Sequence, residues 1–226
     1  MPYSQRESQQ AVVLEPSSSA SATVIVLHGL GADGFDFVPI VNELKLQPQP
    51  AVRFIFPHAK HRPVTLNNGY EMRAWYDIKS LGGNGPEDDA GIRDSAALVS
   101  RYVKEQEAAG IAANRVVIAG FSQGGAIALH AGLRYPDRLA GVLALSTYLP
   151  LRHSLEAERT QANRDVPILM CHGTYDRVVP AAMGVASRDL LLKLGYTVEW
   201  RSYPIEHSVS AAEIVDISNW LQARLV

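Results

Sequence analysis

Five short runs of this chain are almost wholly apolar: "ATVIVL", "VRFIF", "VVIAGF", "GVLALS" and "VPILMC". A strand with one wet face alternates apolar and polar residues. A strand with no polar face has to be covered on both sides. Between these runs lie stretches with helical spacing. "FDFVPIVNELKL" is predicted as a helix, as are Asp89–Ala109, "QGGAIALHAGLRY" up to Pro136, "AAMGVASRDLLLKLG" and the closing "SAAEIVDISNWLQARL". "AVVLEP" adds a strand before the first run, and "TVEWRSYP" one after the last. Strands that alternate with helices and are apolar on both faces predict an α/β protein, with a mostly parallel central sheet and helices on both faces. No internal repeat appears, and "PSSSASA" is too short to link domains, so residues 1–226 are expected to form a single domain.

Composition narrows the partners. The formal net charge is -2, which gives no electrostatic reason to expect nucleic acid or an anionic membrane. Cys171 is the only cysteine, so no internal disulfide framework exists and a reducing compartment suits the chain. "MPYSQRESQQ" lacks the apolar centre of a signal peptide, and no apolar run is long enough to span a bilayer. A cytoplasmic location is the expectation.

The feature that points to chemistry is "VVIAGFSQGGAIALH", Val116 to His130. It contains G-x-S-x-G at Gly120-Phe121-Ser122-Gln123-Gly124, where a buried strand passes at once into a helix. The string alone arises by chance in about one chain in ten of this length, so its position carries the argument. A turn that tight strains the central residue and brings strand and helix together. Side chains at the flanking positions would collide, and glycine removes the collision. The hydroxyl is left exposed above the sheet edge, facing the free N–H groups of the helix start.

A serine hydroxyl needs a base, and the base needs an orienting acid. On such elbows the chain order is Ser, then Asp or Glu, then His, each in a loop after a strand. His28, His58 and His61 precede the serine, His130 lies inside the elbow helix, and His153 follows no strand. His172 ends the strand "PILMCH" and is expected to serve local packing. His207 follows the last strand and precedes the last helix, which makes it the predicted base. Asp176 in "HGTYDRVVP" is the predicted acid, because Asp137 sits in a helix-ending turn and Asp165 precedes its strand. The oxyanion N–H groups are predicted at Gln123 and at Leu30 in the loop "LHGLGADG". "GLGADG" also fits the dinucleotide pattern G-x-G-x-x-G, but the acidic residue expected after a second strand is missing from "FIFPHA". The excursion from Lys60 to Glu87 is too long for a plain connection. It carries Trp75, Tyr76, Ile78 and Leu81, and part of it is predicted to wall an acyl groove beside the Leu30 loop. Adjacent Asp88 and Asp89 are read as acids that stabilise a helix start, not as metal ligands.

Taken together, "VIVLHGLGADG", "RAWYDI", "GFSQGGAIAL", "HGTYDRVVP" and "EHSVSAAEI" resemble the phospholipase/carboxylesterase family of α/β-hydrolases over nearly the whole chain. The resemblance implies the α/β-hydrolase fold, a Ser122–Asp176–His207 triad, oxyanion N–H groups from Leu30 and Gln123, no metal or organic cofactor, and in many bacterial members a homodimer. It sets an acyl groove beside the excursion, with Trp75, Leu81 and Val178 as the residues taken to meet the substrate. The implied activity is hydrolysis of short- to medium-chain carboxylic esters, extending to acyl thioesters. Lysophospholipid hydrolysis and protein depalmitoylation are the neighbouring alternatives, and a silent or dinucleotide-binding module is the rival of another class. Two positions depart from the family. Glu206 stands where many members have Gly before the histidine, and Ser146-Thr147-Tyr148 stands where a Ser-Gly pair is common.

Overall fold

A computed structural model describes residues 3–80 and 85–225. In chain order the strands are β1 (Tyr3–Glu7), β2 (Ala11–Pro16), β3 (Ala22–Leu27), β4 (Val52–Pro57), β5 (His61–Val64), β6 (Tyr70–Arg73), β7 (Val116–Phe121), β8 (Gly141–Leu145), β9 (Ile168–Gly173) and β10 (Val198–Tyr203). The helices are α1 (Ile40–Glu43), α2 (Asp89–Ala108), α3 (Gln123–Gly132), α4 (Leu155–Glu158), α5 (Ala181–Lys193) and α6 (Ala211–Leu225).

Eight strands form one sheet in the order β1-β2-β4-β3-β7-β8-β9-β10. From β4 to β10 all pairings are parallel, while β1 and β2 run antiparallel at one edge. Side chains of each buried strand alternate between two cores. Ile25, Leu27, Val116 and Ile118 face the layer of α2, α3 and α5, whereas Val24, Val117 and Ala119 face α1 and α6. Both faces are therefore dry, which is why these strands carry no polar alternation.

The chain leaves β3 toward β4 on one side and later returns as β7 on the other, with Leu27 paired to Gly120. Strand order reverses here, and it is at such a switch point, outside the carboxyl ends of the strands, that open α/β sheets form their ligand crevice.

The structure departs from or adds to the expected pattern in three places. The predicted helix "FDFVPIVNELKL" shrinks to α1, preceded by turns such as Asp36 N–H to Asp33 O and Val38 N–H to Phe35 O. Pro39 has no N–H to continue a helix through this segment and restricts Val38 before it. That also removes the dinucleotide reading, since no helix starts at the glycine-rich loop to meet a phosphate. The polar N-terminus supplies β1, an edge strand paired with β2. The excursion contains a hairpin, β5–β6, in place of an irregular loop.

Candidate active site

Ser122 stands between β7 and α3 with φ 54° and ψ -120°, a backbone conformation that L-residues rarely hold. Its N–H donates to Leu145 O at 2.8 Å, and its carbonyl accepts from Thr147 Oγ1 at 2.6 Å and Ala126 N at 3.1 Å. These bonds tie the elbow to the end of β8 and to the first turn of α3. A Cβ on Gly120 would overlap the backbone of Gly124, and one on Gly124 would overlap the Leu27 carbonyl. The two motif glycines thus let β3, β7 and α3 converge under one hydroxyl.

The loop after β9 holds Asp176. Its Oδ1 accepts from Val178 N at 2.9 Å and Val179 N at 2.8 Å, and its Oδ2 lies 2.6 Å from His207 Nδ1. The carboxylate is fully buried, so these three donors replace the water it has lost. His207 lies in the loop between β10 and α6. That loop crosses the start of the Asp176 loop through Tyr175 N–H to Ile205 O at 3.0 Å. A side chain at Gly173 would strike Ile205 O and Glu206 O, so the crossing requires glycine there. With Nδ1–H donated to Asp176, the imidazole keeps Nε2 as its acceptor. The ring packs 4.7 Å from that of Phe121, the residue before Ser122. No hydrogen bond joins Ser122 to His207 in this arrangement.

His172 is buried behind this pair. Its Nε2–H donates to Val179 O at 2.9 Å, and the ring stacks on Trp200 at 5.9 Å. Burial lowers its pKa, so the ring stays neutral and braces the Asp176 loop. Asp165 pairs with Arg138, while Asp137 only offers its carbonyl to Asn163. Asp88 caps α2 by accepting from Gly91 N.

The Leu30 loop runs beside the elbow, where a Cβ on Gly29 would come against the side chains of Phe121 and Ser122. Gln123 opens α3, and the first N–H groups of a helix lack acceptors within it. Trp75 is 1% exposed, and its indole N–H donates to His28 O at 2.8 Å. It is a beam beneath the Leu30 loop, and the open groove wall expected of it is not what the structure places there. Val178 is 53% exposed on the acid loop, at the rim. Leu81 lies outside the described residues. Roles that sequence reasoning did not assign are those of Thr147, of the amides of Val178 and Val179, and of the Tyr148 hydroxyl, which meets that of Tyr76 at 2.8 Å. Beyond Tyr148 lies a cleft of about 490 Å³ against α5, lined by Leu149, Ala182, Met183 and Leu190, with Glu87 and Arg152 also on its walls.

The family model for phospholipases and carboxylesterases matches residues 8–225. The chain belongs to this family. As a member of the phospholipase/carboxylesterase family it has the α/β-hydrolase fold and is a serine hydrolase acting on carboxylic esters. Acyl-protein thioesterase 1 of Yarrowia lipolytica is 39% identical over 220 residues, which cover 95% of this chain and 97% of that protein. The protein of the same name from Gibberella zeae is 38% identical over 223 residues, 95% of each chain. Among solved structures, Arabidopsis thaliana SOBER1 matches with a TM-score of 0.86 at 33% identity, covering 91% of this chain and 99% of that one. Zea mays acyl-protein thioesterase 2 matches at 0.85 and 30%, covering 96% and 99%. Among the described residues no helix is long and apolar enough to cross a membrane.

Proposed function

We propose that Ser122, His207 and Asp176 form the catalytic triad, that the N–H groups of Gln123 and Leu30 hold the oxyanion, and that substrates include acyl thioesters as well as esters. The observation that carries this reading is the 2.6 Å contact of His207 Nδ1 with buried Asp176, beside a serine held on a strained elbow. Substrate entry closes the remaining link from Ser122 Oγ to His207 Nε2. The hydroxyl attacks the acyl carbonyl as Nε2 takes its proton, and Asp176 stabilises the resulting imidazolium. Collapse of the tetrahedral intermediate expels the alcohol or thiol, which leaves with the proton from Nε2. Water then repeats the sequence on the acyl-serine and releases the acid. A thiol leaves more readily than an alcohol, so this machinery handles thioesters with less help from the acid. The names of the acyl-protein thioesterase relatives support that extension. The cleft beyond Tyr148 is the proposed acyl site, since its walls are largely apolar. A cytoplasmic setting fits the single, buried Cys171.

The test is a hydrolysis screen over esters, thioesters and lysophospholipids of graded acyl length, with fluorophosphonate labelling of parent and Ser122→Ala. Labelling of the parent, and loss of both label and about 10⁶ in turnover in the variant, is expected. A folded Ser122→Ala enzyme that keeps its activity refutes the assignment.

A further inference from the structure

The two proposed oxyanion donors lie on separate strands' loops, about ninety residues apart in sequence, yet each is tied to one short segment, Arg73 to Tyr76. On the Leu30 side, His28 O accepts from Trp75 Nε1 at 2.8 Å, and Gly31 N–H donates to Arg73 O at 2.9 Å. Leu30 is therefore pinned on both sides. On the α3 side, the Gln123 amide makes two bonds at once. Its Oε1 accepts from Trp75 N at 2.8 Å, and its Nε2 donates to Tyr76 O at 2.7 Å. The segment is itself anchored to the fold, because Ser95 Oγ donates to Trp75 O. His28 is fixed by its own ring. Nδ1 lies 2.7 Å from Gly29 O, and Nε2 accepts from Ala59 N at 3.0 Å. Burial drives its pKa down to about 4, which keeps it in this neutral state.

The side chains of His28, Trp75 and Gln123 are buried and hydrogen-bonded, while Gly31 is exposed and Arg73 half-buried at the outer end of the network. A packing aromatic needs none of these bonds. We propose that Trp75 and the Gln123 side chain are positioning residues that set the distance between the Leu30 and Gln123 N–H groups. Oxyanion stabilisation works through donors that are already aimed before charge develops, and a misplacement of about 1 Å costs on the order of 10² in rate. The indole and the amide act at one remove from substrate, and their effect appears in the transition state. This inference rests on the triad and oxyanion reading given above.

The experiment uses Trp75→Phe, Gln123→Met and Gln123→Glu, with folding checked by circular dichroism. Each is assayed on acetyl and octanoyl esters and with an alkyl trifluoromethyl ketone, which forms a tetrahedral oxyanion on the serine. We expect kcat to fall about 10- to 100-fold on both esters alike, with KM within about twofold and the ketone Ki raised by the same factor as kcat falls. A folded variant that keeps kcat within about threefold, or that loses efficiency through KM with Ki unchanged, overturns the proposal. So does failure of all three variants to fold, which would place the network's task in stability. A wrong nucleophile assignment shows itself separately, as activity or fluorophosphonate labelling that survives in Ser122→Ala.

Discussion

Glu213 offers a prediction whose size can be worked out. It sits in the first turn of α6, six residues after His207, and is fully buried. Neither carboxyl oxygen makes a hydrogen bond within normal limits, and only the Ser210 backbone lies close enough to favour the ionised form. Asp216, Cys171 and Tyr203 lie nearby, and Arg201 in the same region pairs with Asp216, not with Glu213. Burial first, then Asp216, raises its pKa from 4.5 to about 7. In the window between those values the folded chain keeps the proton while the unfolded chain releases it. The parent therefore loses stability as pH rises from about 4.5 to 7, and the loss is complete above 7. A difference of that size corresponds to about 3 kcal/mol at full ionisation. Glu213→Gln keeps the shape and cannot ionise. Contributions from buried His28 and His130, whose stability is lost as pH falls, are common to both proteins and cancel in the comparison. Urea unfolding at pH 5, 6, 7 and 8 should show the variant gaining on the parent by about 2–3 kcal/mol across the series. Parallel curves for the two proteins would mean that Glu213 carries the same charge folded and unfolded, and would refute the reasoning.

His207→Ala should be as damaging to turnover as Ser122→Ala, while His172→Ala should mainly lower the melting temperature; the reverse ranking in paired kinetic and thermal assays moves the base role to His172. Gly124→Ala drives a methyl into the Leu27 carbonyl, so it should cost about 1–3 kcal/mol and slow fluorophosphonate labelling, and parental labelling in a folded variant contradicts the packing account. The Cys171 thiol is buried and its pKa is raised by that burial, so an aromatic disulfide reagent should react only on unfolding, and rapid reaction with the native protein counts against the buried placement.

Strands buried on both faces were legible because nothing polar interrupts them, as in Val116–Phe121 and Ile168–Gly173. β1 was not, because Ser4 to Glu7 are exposed at an edge and their pairing leaves no apolar trace. The β5–β6 hairpin is hidden for the same reason, with "HRPV" and "YEMR" mostly exposed or half-buried. At the site, Ser122 is announced by its glycines, and Asp176 and His207 by their places after strands. Trp75 misleads because sequence records that an indole is apolar but not which way its N–H points. The amides that hold Asp176 leave no signal at all, since every residue but proline has one.

The elbow sets the protein's stability against its chemistry at a single position. Ser122 holds φ 54° and ψ -120°, where a Cβ is a burden that glycine does not carry. Ser122→Gly would remove strain on the order of 1–3 kcal/mol and with it the proposed nucleophile. A population of variants screened only for heat resistance would drift toward that replacement, and each step of the drift would look like improvement. Only a screen that asks for turnover opposes it. The serine persists against a thermodynamic gradient, and a heat-hardened version of this enzyme has to find its gains elsewhere in the fold.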